Sequence, residues 1–372
     1  MANSYTQSEE FMKILLLSKY SRKGASTRLR SLQYLPFLES EGFQVIVSSL
    51  FDDHYLGQLY QHGKRAPLRM MMLYFRRLIV LLSAFRYDLI WIEKEIFPYM
   101  PAFAERMLHF LGKRYVVDYD DAVFHNYDLS GNPVLRRVLG RKIDVVMRCA
   151  SCVVAGNEYL ASRAKAAGAA RVELVPTVVD PTRYSPIGFS TSSRPVIGWI
   201  GSPSTQGYVV DIAGSLASQC QKHNARLRLV GASADITAEF PGVDVEVVPW
   251  SEASEADLIA GMDIGIMPLP DGLWENGKCG YKLIQYMACA IPVIASPVGV
   301  NVDIVGANQC GLLAADGAEW EVALDKLLES RAQKLELGRA GRQAVESWYS
   351  LSVQAPILAN IFIQSVTVLE SA

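Results

Sequence analysis

The chain has 372 residues, half of them hydrophobic, and its 36 lysines and arginines nearly balance 38 aspartates and glutamates, for a formal net charge of −2. This length allows two domains of ordinary size. The balanced charge argues against a nucleic-acid-binding protein, which normally carries a basic excess. No run of about 20 uncharged apolar residues occurs, and the chain starts with a polar, acidic stretch. We therefore expect a cytoplasmic globular protein with neither a spanning helix nor a signal peptide.

Strands alternate with amphipathic segments through the first half of the chain. Helical periodicity predicts helices at residues 27–41, 99–111 and 133–148. Short apolar runs predict six strands, at residues 13–17, 44–48, 89–92, 115–118, 152–155 and 172–175. Repeated strand–helix units imply a parallel sheet with helices on both faces and ligands at the carboxyl ends of the strands.

The second half repeats this plan. Its six predicted strands are residues 196–200, 226–230, 245–248, 264–267, 293–295 and 311–313. Between the halves, residues 186–194 are rich in serine, glycine and proline and predict a linker. The predicted organisation is a domain at 1–185, a second at 195–349 and a helix-periodic tail at 350–372. The fold class is α/β, with two Rossmann-like doubly wound domains.

One segment of the first half is unusually apolar. Residues 68–85, from Leu68 to Phe85, contain Arg69, Arg76 and Arg77 among mostly hydrophobic side chains. This pattern suits an interfacial helix that lies on anionic lipid. It also suits a helix that faces the core of the first domain with its methionines packed inside. The sequence leaves both interpretations open.

Residues 263–301 carry the clearest chemical signal in the chain. A strand ends in Pro-Leu-Pro-Asp-Gly, a loop with Gly277-Lys278-Cys279-Gly280 follows, and a helix then runs to a stop at Pro292. In such a unit, backbone N–H groups and the helix N-terminus point at an anion in the loop. Lys278 and Lys282 add positive charge at the same end, so the segment predicts a phosphate site.

The same loop imitates the P-loop of nucleotide triphosphatases. Residues 272–279 fit GxxxxGK followed by a small residue, between a strand and a helix. The residue after the lysine is Cys279, where that motif needs a serine or threonine to hold magnesium. A thiol is a poor ligand for a hard cation, so the P-loop alternative is disfavoured. It predicts magnesium-dependent triphosphate hydrolysis.

Residues 277–301 resemble the donor-binding region of the retaining glycosyltransferases of family 4, and more narrowly a bacterial subgroup with the core G-K-C-G-[FY]-K-L-x-[EQ]-Y-M-A. Further matching motifs are DYDDAVFH at 118–125, GNEYL at 156–160, VPTVVDPTRY at 175–184, PVIGWIGSP at 195–203 and LRLVG at 227–231. The resemblance implies the GT-B fold, in which two Rossmann-like domains face a cleft and the last helix crosses back to the first domain. It also implies sugar transfer from a nucleotide-diphosphate donor with retention of configuration.

On the donor side, the leaving diphosphate has to be stabilised as charge builds on it. Lys278 and Lys282, with the N–H groups around Gly280, are the candidates. They are joined by the loop that follows the strand at 196–200, through Gly201, Ser202, Ser204 and Thr205. Ser204 or Thr205 is expected to cap the next helix. The family signature has two glutamates eight positions apart, which fall here on Gly277 and Gln285. We expect Gln285 to bind the ribose. For the missing glutamate two alternatives stay open: Glu275 substitutes for it, or the lysines indicate a different contact with the donor.

On the acceptor side, the resemblance points to the end of the strand at 115–118. Asp120 lies nearest the histidine that many relatives carry there, and His125 follows. The glycine-containing basic loop at 18–30 is expected to reach the donor phosphates and acceptor through Gly24, Ser26, Thr27 and Arg28. The alternative for that loop is a surface turn with Ser26 as an N-cap.

Asp118-x-Asp120 imitates the metal-binding DxD motif of the other main glycosyltransferase fold, a one-domain architecture that the doubled strand–helix pattern contradicts. Since fixed donors replace a metal in many GT-B enzymes, the resemblance implies no catalytic metal and no cofactor. The overall prediction is a metal-independent glycosyltransferase with a glycan or lipid-linked acceptor in cell-surface polysaccharide assembly. If residues 68–85 form an interfacial helix, the protein would contact the inner face of the membrane peripherally through them. A GT-B sugar-nucleotide epimerase and a non-catalytic partner subunit are the rivals.

Overall fold

The computed structural model describes residues 11–53, 67–186 and 194–367, which divide into two compact units. The first unit comprises Met1–Pro176 and Ala355–Ala372, and the second comprises Thr177–Gln354. Apart from its two ends, the predicted linker lies outside the described residues. Each unit contains one six-stranded sheet whose strand pairs are all parallel. The predicted pair of doubly wound domains is therefore confirmed.

The sheet of the first unit has the strand order β2-β1-β3-β4-β5-β6. Its strands are β1 (Met12–Tyr20), β2 (Phe43–Phe51), β3 (Leu89–Glu93), β4 (Tyr115–Tyr119), β5 (Cys152–Ala155) and β6 (Val172–Leu174). Every residue of β3, β4 and β5 is buried, because helices cover both faces of the sheet. Winding reverses between β1 and β3, so the loops after these strands diverge at a topological switch point.

The helices of this unit are shorter than their periodicity predicts. They are α1 (Ala25–Arg30), α2 (Leu35–Ser40), α3 (Pro67–Leu82), α4 (Phe103–Phe110), α5 (His125–Asp128), α6 (Pro133–Leu139), α7 (Lys142–Cys149) and α8 (Glu158–Ala166). The predicted helix at 27–41 is divided into α1, a 3₁₀ turn and α2, and Pro36 lies in the first turn of α2, where its missing N–H costs nothing. The helix predicted at 133–148 is divided at Gly140.

The sheet of the second unit has the order β12-β11-β10-β7-β8-β9. Its strands are β7 (Val196–Ile200), β8 (Arg226–Val230), β9 (Val245–Val248), β10 (Ile264–Met267), β11 (Val293–Ala295) and β12 (Gly311–Leu313), as predicted. The switch point lies between β7 and β10. These two strands pair at only two positions, Ile264 with Ile197 and Gly265 with Gly198, and then separate.

Helices surround this second sheet, and a last helix continues into the first unit. The helices are α9 (Gly207–Val210), α10 (Ala213–Lys222), α11 (Glu255–Ala260), α12 (Leu273–Asn276), α13 (Tyr281–Ala288), α14 (Val300–Asn308), α15 (Gly317–Glu329), α16 (Arg331–Ser347) and α17 (Leu351–Thr367). The ring of Phe362 on α17 lies 4.9 Å from that of Trp91 in the first unit. No helix among the described residues is long and apolar enough to cross a bilayer.

Candidate active site

The switch point of the second unit is held open by one tyrosine. Tyr286 on α13 is fully buried, and its hydroxyl accepts a hydrogen bond from the backbone N–H of Ile200 at 3.0 Å. The same hydroxyl donates to the carbonyl of Ile266 at 3.2 Å. The hydroxyl therefore occupies the place of a direct bond between β7 and β10. In open parallel sheets, ligands bind outside the carboxyl ends of the strands at such a switch point.

A lysine lies beside this gap with no carboxylate partner. The Nζ of Lys282 is 4.9 Å from the ring centroid of Trp199, which is buried at the end of β7. Such a cation–π contact stabilises an ammonium group without neutralising it. No carboxylate among the described residues pairs with Lys282. Burial, helped by the charge of Lys278, lowers the pKa of Lys282 to about 7, and an anionic ligand beside it would raise this pKa and favour the ammonium form.

The N-terminus of α13 adds backbone donors at the same place. Gly280 precedes the helix with a φ of 65°, and a Cβ there would lie 2.4 Å from Ile304. Glycine is therefore required both by the backbone and by the space. Within the described part of the chain, the N–H groups of Gly280 and Lys282 donate no hydrogen bond. These donors and the lysine lie together where the sequence predicts a phosphate site, and binding of an anion there stays a prediction.

The loop after β7 also contacts the tryptophan. A Cβ on Gly201 would come within 2.2 Å of the Trp199 ring, so only glycine lets the backbone pass there. Ser202 caps the short 3₁₀ turn that follows, with Thr205 in a reciprocal capping box. The cap is thus Ser202 and not Ser204 or Thr205. The Oγ of Ser204 lies 2.9 Å from that of Ser202, so the three hydroxyls form one exposed polar cluster.

Glu275, the glutamate candidate of this unit, is held in place by a tyrosine of α9. Glu275 lies on α12, a one-turn helix that the sequence did not predict, and its Oε1 accepts a 2.6 Å hydrogen bond from the Tyr208 hydroxyl. Burial raises the pKa of the Tyr208 hydroxyl, and the hydrogen bond to Glu275 raises it further. Glu275 therefore ties the loop after β10 to α9, close to the gap.

Gln285 faces the interior. It is only 3% exposed, and its Nε2 donates to the hydroxyl of Tyr184 at 3.2 Å. Tyr184 in turn donates to Glu255, which also accepts from the indole of Trp250. The amide is part of a buried network, and its contact with a ribose remains a prediction.

The first unit has a second polar cluster at its own switch point. Asp120, directly after β4, lies 2.8 Å from the Nζ of Lys94, which follows β3. Lys94 also donates to Ser26 on α1 at 3.0 Å and lies 3.5 Å from Asp121. Lys94 was missed by the sequence analysis, although the triplet of Glu93, Lys94 and Glu95 directly after a buried strand is a signal that could have found it.

The loop candidates of the first unit separate into two groups. Ser26 belongs to the cluster around Asp120. Thr27 is fully buried and its hydroxyl donates to Glu93 at 2.6 Å, while Arg28 is also buried. Helix α1 begins after Gly24, which has no side chain to cap it, so the alternative of Ser26 as an N-cap is wrong. Ser26 contacts both Lys94 and Asp120.

The two aspartates of the DxD-like motif have different partners. Arg30 binds Asp118 in a buried bidentate ion pair with a shortest distance of 2.7 Å, whereas Asp120 pairs with Lys94. Each carboxylate of the motif therefore has a cationic side chain of its own as partner. His125 lies apart from this cluster, with its ring nitrogens 2.8 Å from Asp128 and 2.8 Å from the hydroxyl of Tyr159.

The anion site of the second unit lies within a recognised family match. Residues 194–330 match the family model described as "Glycosyl transferases group 1". This stretch is a glycosyltransferase domain. No curated protein matches the chain significantly. The match confirms the predicted glycosyltransferase, and the glycosyltransferase domain contains the gap, Lys282 and the N-terminus of α13.

Solved structures with the same fold cover nearly the whole chain. Sucrose-phosphate synthase from Thermosynechococcus elongatus has a TM-score of 0.71 at 15% identity, over 95% of this chain and 98% of that one. HepE of Anabaena in complex with UDP-glucose has a TM-score of 0.69 at 17% identity, over 95% and 100%. WaaG, a glycosyltransferase involved in lipopolysaccharide biosynthesis, has 0.66 at 14% identity, over 94% and 99%. The glycosyltransferase domain thus belongs to a chain with the GT-B fold.

Proposed function

We propose that the protein is a retaining, metal-independent glycosyltransferase of family 4 that uses a nucleotide-diphosphate sugar and a glycan or lipid-linked acceptor. The observation that carries this proposal is Lys282, a cation without a carboxylate partner beside the unused N–H groups of α13. A diphosphate in this gap would meet positive charge and backbone donors whose positions are already fixed. Such donors stabilise charge that develops on a leaving group.

The remaining residues of the second unit have supporting roles in this proposal. Lys278 adds a second positive charge to the leaving diphosphate, and the hydroxyls of Ser202, Ser204 and Thr205 bind its oxygens from the loop after β7. Glu275 binds the sugar, and Gln285 the ribose. With two lysines supplying the charge, the departure of the diphosphate needs no divalent cation.

The donor and the cellular role are proposed by analogy. The complex of HepE with UDP-glucose supports a UDP-sugar as the first donor to test. The involvement of WaaG in lipopolysaccharide biosynthesis supports a role in cell-surface polysaccharide assembly. In the first unit, we propose that Asp120 and Ser26 bind a hydroxyl of the sugar or of the acceptor.

A thermal-shift panel of UDP, GDP, ADP, CMP and ATP, each with magnesium and with EDTA, tests the donor site. A ligand at 100 times its dissociation constant stabilises the folded state by about 2.7 kcal/mol. We expect one nucleoside diphosphate to raise the melting temperature equally in magnesium and EDTA. A response to ATP with magnesium alone would restore the P-loop alternative, and no response would favour a non-catalytic subunit. Conversion of the sugar nucleotide without an acceptor would indicate an epimerase.

Helix α3 supports a peripheral membrane contact. Six of its apolar side chains, 53–79% exposed, recur at helical spacing on one stripe: Leu68, Met71, Met72, Phe75, Ile79 and Leu82. The helix has no acidic residue, and Arg76 lies exposed beside the stripe. Its inner face packs through Leu73 and Leu81, so the interpretation with the methionines packed inside is wrong for Met71 and Met72. We propose that this stripe enters the interface of an anionic membrane.

Replacing Met71, Phe75 and Ile79 together with glutamine should abolish binding to vesicles that contain phosphatidylglycerol. The three apolar side chains gain free energy when they move from water into the membrane interface, and glutamine side chains do not. Co-sedimentation with phosphatidylcholine vesicles, with and without phosphatidylglycerol, measures this. The control is Val322→Gln, which removes a 68% exposed apolar side chain from α15 in the other unit and should bind like the wild type. Equal binding by the triple variant would exclude α3 as the contact.

A further inference from the structure

Lys94 has a strained backbone at the switch point of the first unit. Its φ is 65°, which is unfavourable for a residue with a long side chain. The N–H of Glu95 donates to the carbonyl of Glu93 at 2.7 Å, which closes a three-residue turn around Lys94. A γ-turn with a positive φ at its centre is rare and strained. Such strain persists where the surrounding structure over-determines it, and it clusters at functional sites.

The turn places the ammonium group of Lys94 beside two carboxylates and a hydroxyl. Its Nζ lies 2.8 Å from Asp120 and 3.5 Å from Asp121, and donates to Ser26 at 3.0 Å. The lysine side chain is only 8% exposed. Burial alone would lower the pKa of Lys94, but the two carboxylates outweigh burial and raise it above the ordinary lysine value. The lysine therefore stays charged, and it holds elements that follow β1, β3 and β4 together.

We propose that Lys94 is the positioning residue of the first unit: it keeps the carboxylate of Asp120 ionised and oriented so that Asp120 can accept a hydrogen bond from a substrate hydroxyl. This inference rests on the proposed function. Asp120 contacts the sugar or the acceptor, and Lys94 acts through it. The γ-turn is the means by which the lysine reaches Asp120 from the end of β3.

The surroundings of Asp120 make the lysine necessary. Four charged groups face Asp120: Lys94, Arg30, Asp118 and Glu93. Two further charged groups, Asp121 and Lys19, face Lys94. Arg30 is already committed to Asp118. Burial raises the pKa of the Asp120 carboxyl, and the charge of Lys94, helped by Arg30, outweighs burial and holds this pKa below its usual range. Without Lys94, desolvation and two neighbouring carboxylates would favour the protonated acid.

The test removes the charge of Lys94 by a substitution that tolerates the same backbone conformation. Lys94→Asn removes the ammonium group, and asparagine tolerates a positive φ better than most residues. Lys94→Arg retains a cation. The readouts are the pH profile of nucleoside diphosphate release from the donor that the thermal-shift panel identifies, and the carboxyl titration of Asp120 by ¹³C NMR, with Asp120→Asn for assignment.

In Lys94→Asn we expect the pKa of Asp120 and the acid limb of the pH profile to move up together by about 1–3 pH units, the usual effect of an adjacent opposite charge. Activity falls as the pH falls through this pKa, so the loss would be largest in mild acid. Lys94→Arg should keep the limb near its wild-type position, and the stabilisation of the second unit by the nucleoside diphosphate should be unchanged in both variants.

Lys142 provides the matched control, because it is another buried lysine of this unit that pairs with the adjacent Glu95. Lys142→Met should destabilise the protein without moving the acid limb. An unmoved titration of Asp120 in Lys94→Asn would overturn the inference. A moved titration without any sugar-nucleotide turnover would instead count against the proposed function and leave the link between Lys94 and Asp120 standing.

Discussion

Lys282→Met should abolish sugar transfer and at the same time make the ligand-free protein more stable at neutral pH. Lys282 is the ammonium group that lies on Trp199 beside the proposed diphosphate site. Loss of a charged donor aimed at a leaving group costs about 10²-fold or more in turnover. Methionine keeps the length of the side chain and its contact with the ring.

The gain in stability follows from the pKa of the lysine. Burial and the nearby charge of Lys278 lower the pKa of Lys282 to about 7, below its value in an unfolded chain. Between pH 7 and the unfolded value, the unfolded state therefore binds more protons than the folded state. Stability then rises with pH across this window, and at pH 7 the folded state carries the full penalty. Lys282→Met removes the penalty together with its pH dependence.

Melting temperatures at several pH values between 6 and 10 and turnover at pH 7 check this prediction. Lys278→Met is the control, because it removes a lysine from the same site but not the charge that lies on Trp199. It should lower turnover and raise the melting temperature less than Lys282→Met does, because it relieves only the smaller of the two causes that lower the pKa of Lys282. A lower melting temperature for Lys282→Met would show that the contact between the ammonium group and the ring outweighs the burial of its charge.

Arg30→Met should destabilise the first unit by about 3–5 kcal/mol, the usual cost of leaving one member of a buried ion pair without its partner. Arg30 and Asp118 are both nearly inaccessible, and the arginine also donates to the carbonyl of Val175 at 2.8 Å. Removal of the guanidinium would leave the Asp118 carboxylate buried beside Asp120. Urea unfolding, followed by a probe in the first unit, measures the loss.

The double variant Arg30→Met with Asp118→Leu separates the ion pair from the packing. Since it removes both charges, it should recover much of the loss seen in the single variant. An equal loss in the two variants would mean that the arginine stabilises the unit through packing and the bond to Val175, and that its charge contributes little.

The strands could be predicted from the sequence, whereas several site residues could not. A strand buried on both faces reads as a continuous apolar run, which is why β3 and β10 were found at nearly their observed bounds. Lys94 was missed because its role depends on a γ-turn and on side chains from two other elements. Thr27 was placed in the ligand loop, since a sequence does not show that the hydroxyl turns inward to Glu93.

The candidate phosphate site was proposed from the sequence for a different reason. Its donors belong to one local unit of strand, glycine loop and helix, so residue order alone brings Lys278, Gly280 and Lys282 together. The support of Trp199 and the bridge of Tyr286 come from other parts of the sheet. Contacts of that kind depend on how strands are ordered in space, which the residue pattern of a single segment does not encode.

Tyr286 can bridge the strands only because residue 265 is glycine. A Cβ on Gly265 would lie 2.3 Å from the Tyr286 ring, so any other residue in the middle of β10 would push the ring off the sheet. The hydroxyl pairs with the N–H of Ile200 and the carbonyl of Ile266, so these two backbone groups at the parted strand ends are satisfied. The separation of the two strands is thus completed during folding. A ligand that binds beyond these strand ends does not have to separate the sheet, which lowers the free-energy cost of binding.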